Sequence, residues 1–160
     1  MTLKTLRFLS LLFVALSLGP SMAHLLEMPH KIHLPAAEYL TVQQIYTGWA
    51  LLGILVVGAL LSVLALAFVE RMHSMQIGPS VFALLCIVGT QVVFWTFTYP
   101  ANVATQNWTM LPQNWMALRT QWEYSHAVSA ILNLMALVAL LIDINARRAS
   151  AYFEHGFATR

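Results

Sequence analysis

Two short motifs hold the residues most capable of chemistry. His24-Leu25-Leu26-Glu27 and Glu123-Tyr124-Ser125-His126 each set an imidazole and a carboxylate three residues apart. On a helix that spacing makes the two side chains neighbours. Imidazole and carboxylate together are ligands for iron, manganese, copper or zinc. A carboxylate-bridged di-iron centre would also draw Glu from two further helices, and the apolar runs between the motifs supply none. His24, Glu27, Glu123 and His126 around a mononuclear transition metal, or a haem held by His24 and His126, match the inventory better. A plainer reading stands beside these. Glu123 pairs with Arg119 four residues earlier, Glu27 pairs with Lys31, and the histidines are satisfied by amides within a helical bundle.

The stretch Trp95–His126 (WTFTYPANVATQNWTMLPQNWMALRTQWEYSH) contains four of the five Trp and the second motif. Trp108, Trp115, Trp122 and Tyr99 either form an aromatic belt at a membrane surface or enclose a ligand. In the second case Trp115, Trp122, Arg119 and His126 roof a pocket for a flat, partly apolar molecule, with Arg119 facing an oxyanion or carbonyl.

The elements that must position these residues are membrane helices. Only 9% of the 160 residues are charged and 59% are hydrophobic, whereas charge runs near a quarter in soluble domains. The net charge of +2 and the scattered basic residues exclude a nucleic-acid footprint. Cys86 is the only cysteine, which excludes an intramolecular disulfide and thiol-pair redox chemistry. The fold class expected is all-α: one integral membrane four-helix domain over residues 1–160, with spans of about 6–28, 45–69, 80–99 and 121–142.

The first run has two readings. Lys4 and Arg7, an apolar core and Ser21-Met22-Ala23 resemble a cleavable signal; cleavage after Ala23 would expose His24 as an amino-terminal copper chelator. Otherwise the run is a retained span that ends at Pro29. Residues 29–44 read as a loop with a short interfacial helix, Tyr39 lying at headgroup level. Gly48, Gly53 and Gly58 within the second span suit close helix packing, and Glu70-Arg71 reads as its solvated end. In the third span Gln91, Trp95, Thr98 and Asn102 share a face expected to lie inside the bundle, and Pro100 stops the helix. A loop or short helix outside the membrane then leads to the fourth span, where Asn133 shares a side with His126. With both termini inside, Lys4, Arg7, Arg71, Arg147, Arg148 and Arg160 are cytoplasmic and only Lys31 and Arg119 are outside, the positive-inside distribution. The candidate site is then extracytoplasmic in a cell inner membrane, with both motifs at one depth.

HLLEMPHKI followed by YLTVQQIYTGWALLG, and TYPANVATQNWT followed by LPQNWMALRTQWEYSHAVSA, resemble small bacterial four-span membrane proteins of the anthrone oxygenase-like superfamily. The resemblance covers most of the chain, and its Trp-x-x-Leu-Arg-x-x-Trp-Glu-x-x-His part is the specific portion. It implies a retained first helix and adds Asn102 and Trp108 to Trp115 and Trp122 as substrate-binding residues. It also implies oxidoreductase chemistry on a hydrophobic aromatic or quinone-like molecule. His126 would be base or ligand, Glu123 would orient its ring, and Arg119 would stabilise developing oxyanion charge. Such a reaction proceeds with a metal or haem, or with no cofactor when the substrate carbanion is stabilised enough to meet oxygen directly. The alternative is a non-enzymatic membrane subunit whose polar network fixes helix packing and recruits a partner membrane protein or a second copy of itself.

Overall fold

The computed structural model describes the backbone of residues 2–158 and the side chains of residues 2–146. Among these residues the chain is helical, with no strand. The helices are α1 (Leu3–Lys31), α2 (Ala36–Gln43), α3 (Gly53–Met72), α4 (Gly78–Val93), α5 (Tyr99–Ala104) and α6 (Trp115–Ala158). Four continuous helical segments are long and apolar enough to cross a membrane: Leu3–Lys31, Trp49–Met72, Gly78–Ala104 and Trp115–Ala146. Each exceeds the roughly 20 residues that span a hydrocarbon core.

The four spans pack around a ring: α1 against α3 and α6, and α4 against α3 and α6. Their shared core contains Val14, Val63, Leu66, Ala83, Ile87, Ala136 and Leu140. Leu12, Ile54, Leu61, Phe68, Leu85 and Ile131 remain exposed on the outside. Apolar side chains facing outward around a bundle are what a lipid solvent favours. At Gly58 a side chain of α1 presses directly on the α3 backbone. A Cβ there would sit 2.6 Å from the Phe13 ring. Gly53 meets nothing within 4 Å, and Gly48 lies outside the span as a left-handed residue (φ 86°) that starts the 3-10 turn Trp49–Leu52. The second span thus begins at Trp49 rather than 45, because Gly48 turns the chain before the helix sets in.

Both proline-based boundaries are corrected. α1 runs through Pro20 and Pro29 to Lys31, one turn further than expected. At Pro29 only the last turn loses a hydrogen bond, and Ile32 N–H closes on the Met28 carbonyl at 3.0 Å. Pro100 likewise does not end the third span. A π turn over Phe94–Thr98 precedes it, closed by the Tyr99 N–H on the Phe94 carbonyl, and α5 continues with Pro100 in its first turn, where no N–H is needed. The wide turn also rotates the face. Thr98 is buried, whereas Trp95 points outward at 60% exposure, so the expected inward face holds for Thr98 and fails for Trp95. The fourth helix starts at Trp115, six residues before the expected 121.

Glu70 is not a solvated helix end. It is fully buried and accepts from Arg7 Nη2 at 3.0 Å and from Ser80 Oγ at 2.6 Å. An acid near a helix terminus looks solvated in sequence; here α1 and α4 enclose it.

Candidate functional site

At the bundle end formed by the C-terminus of α1 and the N-terminus of α6, the two motifs meet. His24 and His126 stack with ring centroids 4.1 Å apart and planes inclined by 29°. They meet because the helices are antiparallel and adjacent, so the mirrored order brings both imidazoles to one level. Trp122 packs edge-on to His24 at 5.0 Å and lies 4.2 Å from His126. Tyr46, from the 3-10 turn Gln44–Tyr46, and Trp49, from the turn Trp49–Leu52, close on His24 at 4.5 and 5.5 Å.

The carboxylates turn towards a residue that the sequence pattern did not single out as part of the site. Lys31, only 3% exposed, places its ammonium 3.4 Å from Glu123 Oε1 and 3.9 Å from Glu27 Oε1. It donates to the Tyr46 hydroxyl and lies over the Tyr46 and Trp122 rings at 4.5 and 4.7 Å. The signal for it was present: Lys31 follows Glu27 by four residues and His24 by seven. That spacing gave the expected Glu27 pair; the reach to Glu123 was hidden because Pro29 suggested that the helix had already ended.

Tyr39, expected at headgroup level, is fully buried within the protein. Its hydroxyl donates to Glu123 Oε1 at 2.8 Å and accepts from Gln43 Nε2 at 2.6 Å. Burial first, and the Glu123 charge second, push its pKa up, and Tyr46 is shifted up by burial and by Glu27 beside it; both phenols keep their protons. Three buried atoms in this cluster have no partner: Glu123 Oε2, Gln43 Oε1 and His24 Nδ1, the last 3.5 Å from Glu27 Oε1 without hydrogen-bond geometry. His126 is partly exposed and makes no hydrogen bond among the described residues.

Asn102 ties the aromatic wall together. Its Oδ1 accepts from Trp122 Nε1 at 2.8 Å and Trp108 Nε1 at 3.2 Å. The connection is a left-handed turn of three consecutive non-glycine residues, Gln106, Asn107 and Trp108 (φ 50°, 56° and 61°). Asn107 N–H on the Asn102 carbonyl (2.7 Å) and Trp108 N–H on Thr105 Oγ1 (3.1 Å) hold it. Strain of this kind persists only where surrounding contacts fix it, and here it turns the Trp108 indole inward to 3% exposure.

Arg119 stands apart. It donates to the Leu34 carbonyl at 2.8 Å, lies over Trp115 at 4.6 Å and over Tyr39 at 5.4 Å. Seven residues separate it from His126, about 10 Å of helix, so it does not share the imidazole pocket. The contacts of Glu123 are likewise Lys31 and Tyr39, in place of an Arg119 pair or a bond to the His126 ring.

Family models, curated proteins and solved structures were compared with the chain, and none matches.

Among the described residues no three His, Cys, Asp or Glu side chains form a group that could hold a metal ion. The stacked rings explain why. Imidazole binds metal through an in-plane lone pair, so two rings lying plane to plane do not aim at one ion. At a centroid separation of 4.1 Å they also leave no room for a haem between them. The proposed ligand set of His24, Glu27, Glu123 and His126 is assembled in space, but its donors do not converge, and Lys31 lies between the two carboxylates.

Proposed function

We propose that the stacked histidines, their aromatic wall and the buried Lys31–Glu123 pair form a site for a hydrophobic aromatic or quinone-like molecule that arrives from the bilayer, with oxygenase-type oxidoreductase chemistry. The observation that carries this reading is His126: a partly exposed imidazole without a hydrogen-bond partner among the described residues, on a helix apolar enough to span a membrane, beside the unpartnered Glu123 Oε2 and His24 Nδ1. Ionisable residues within spans are functional candidates by default, and unsatisfied buried polar atoms point to a missing partner. The Thr98–Ser125 hydroxyl contact of 2.7 Å sets His126 level with Tyr99, on which the exposed Trp95 packs at 5.0 Å. Such aromatics mark the interface, where amphipathic rings accumulate.

In this reading His126 accepts the proton from an activated methylene or phenol, and Trp122 and Trp49 flank the ring. Lys31 replaces Arg119 as the cation near developing oxyanion charge. For an anthrone-type methylene, the carbanion gives its electrons to dioxygen, and a carbonyl and one water result. The donor geometry offers no step through a metal or haem. The bundle would stand in a bacterial inner membrane with both termini cytoplasmic and the site outside.

The test is oxygen uptake by purified protein in detergent with an anthrone, alongside tryptophan quenching by a short-chain benzoquinone. His126→Ala should retain its melting temperature and lose turnover by about 10²-fold or more, the usual worth of a general base. No uptake and no quenching by the wild type would overturn the reading. It would leave the second one, a packing subunit that recruits a partner or a second copy. That reading is favoured by the way Tyr46, Glu123 and Asn102 already satisfy Lys31, Tyr39, Trp108 and Trp122.

A further inference from the structure

The buried face of α1 mixes polar with apolar residues. Ser10, Ser17, His24 and Lys31 recur at helical spacing with Leu6 and Val14 among them, and the half-buried Arg7 and Ser21 lie alongside. The 24 residue steps from Arg7 to Lys31 cover about 36 Å of helix, enough to cross a hydrocarbon core of about 30 Å. Each end reaches a buried ionic cluster. At one end Arg7 meets Glu70, which also accepts from Ser80; at the other Lys31 meets Glu27 and Glu123, and Glu123 also accepts from Tyr39.

Most hydroxyls in the bundle interior are satisfied by their own helix or a neighbour. Ser62 donates to the Ala59 carbonyl, Thr90 to the Ile87 carbonyl, and Ser21 to the Ser17 carbonyl while accepting from Asn133 Nδ2 at 3.0 Å. Ser10 and Ser17 break this habit. They are 0% and 6% exposed, and neither Oγ has a partner. Leaving a buried hydroxyl unmade costs about 1–3 kcal/mol, and both could have back-bonded to a carbonyl one turn earlier. His24 Nδ1, on the same face and 5% exposed, is unpartnered too. Three unsatisfied polar atoms along one interior face match the placement of bound water.

We propose that this face of α1 carries water and conducts protons through the interior of the bundle, between the Arg7–Glu70–Ser80 cluster and the His24–Lys31–Glu123 cluster. Imidazole and hydroxyl each accept a proton on one side and release one on the other, so a proton entering at one cluster emerges as another at the far one, with no bond or electron otherwise changed. Ser10 and Ser17 lie two turns apart, about 10 Å, a distance that about three hydrogen-bonded waters bridge. Val14, fully buried between them, makes that gap the resistive step. The proposal is independent of the oxygenase reading.

The experiment uses the full chain in liposomes loaded with a pH-sensitive dye, with a valinomycin–potassium potential so that each proton moved is balanced by one potassium ion. Wild type should acidify the lumen several-fold faster than protein-free liposomes. Ser10→Ala/Ser17→Ala, which preserves side-chain size, should return the rate to near background at unchanged melting temperature. Val14→Ser should raise the rate above wild type. Wild-type flux equal to that of empty liposomes overturns the proposal. So does undiminished flux in the folded double alanine variant, or no rise in folded Val14→Ser.

Discussion

The residue that governs the site is Lys31. Its ammonium neutralises one of two neighbouring carboxylates, and Glu123 is 0% exposed. Breaking a buried pair from one side leaves a charge without compensation and typically costs about 3–5 kcal/mol. Lys31→Met should therefore lower the melting temperature in detergent sharply, and adding Glu123→Leu to it should recover most of the loss. If the double variant were as unstable as the single one, the Lys31–Glu123 contact would not be the source. The phenols make a prediction in pH. Tyr39 and Tyr46 are shifted up by burial, with Glu123 and Glu27 respectively adding to the shift, so the folded protein holds protons that the unfolded chain releases near pH 10. Fewer protons bound to the unfolded state means stability falls as pH rises. The contribution is intact below about pH 10 and is lost progressively above it. Denaturant melts between pH 8 and 11 should show that decline, and Tyr39→Phe with Tyr46→Phe should flatten it.

At the scale of elements, close contact between α1 and α3 depends on one glycine. Gly58→Ala forces the Phe13 ring aside, and overpacking of this sort costs about 1–3 kcal/mol. Gly53→Ala enters open space at the start of α3 and should be neutral or slightly stabilising, because alanine favours helix. Comparing the two by thermal unfolding separates packing from helix propensity; equal effects would refute the packing argument. The π turn before Pro100 belongs to this scale as well. It keeps the span continuous, yet it reassigns faces, sending Trp95 outward while Thr98 stays inside.

For the whole molecule, α1 contributes to the core and to both ionic clusters, so it should remain with the bundle. Intact mass of membrane-expressed protein should include residues 1–23, and their loss would remove Arg7 from Glu70 and Ser21 from Asn133. Orientation is checked with a Cys86→Ser background. A cysteine at His33 should react with an impermeant maleimide in intact cells, and one at His73 should react only after lysis. The reverse pattern would invert the proposed topology.

Much of this architecture is legible from local sequence, because spanning a bilayer demands length and apolarity that any short window reveals. The four spans, the short helix around Tyr39 and the shared level of His24 and His126 follow from hydropathy, helical spacing and antiparallel direction. Helix ends were less legible. Proline removes one donor, which suggests a stop, but Pro29 lies where little is lost, and a π turn prepares Pro100. Among the charge pairs, only Glu27 with Lys31, four residues apart, was legible. Sequence spacing offered Glu123 an arginine on its own helix, and the fold gave it a lysine and a tyrosine from elsewhere. Glu70 acquired Arg7 across 63 residues in the same way. Ion pairs and ring contacts depend on three-dimensional distance between helices, and no local pattern encodes that. The sequence alone therefore determined a membrane bundle with its chemistry gathered at one end. Tertiary structure alone decided that the imidazoles stack, that Lys31 joins the carboxylates, and that Arg119 stands aside.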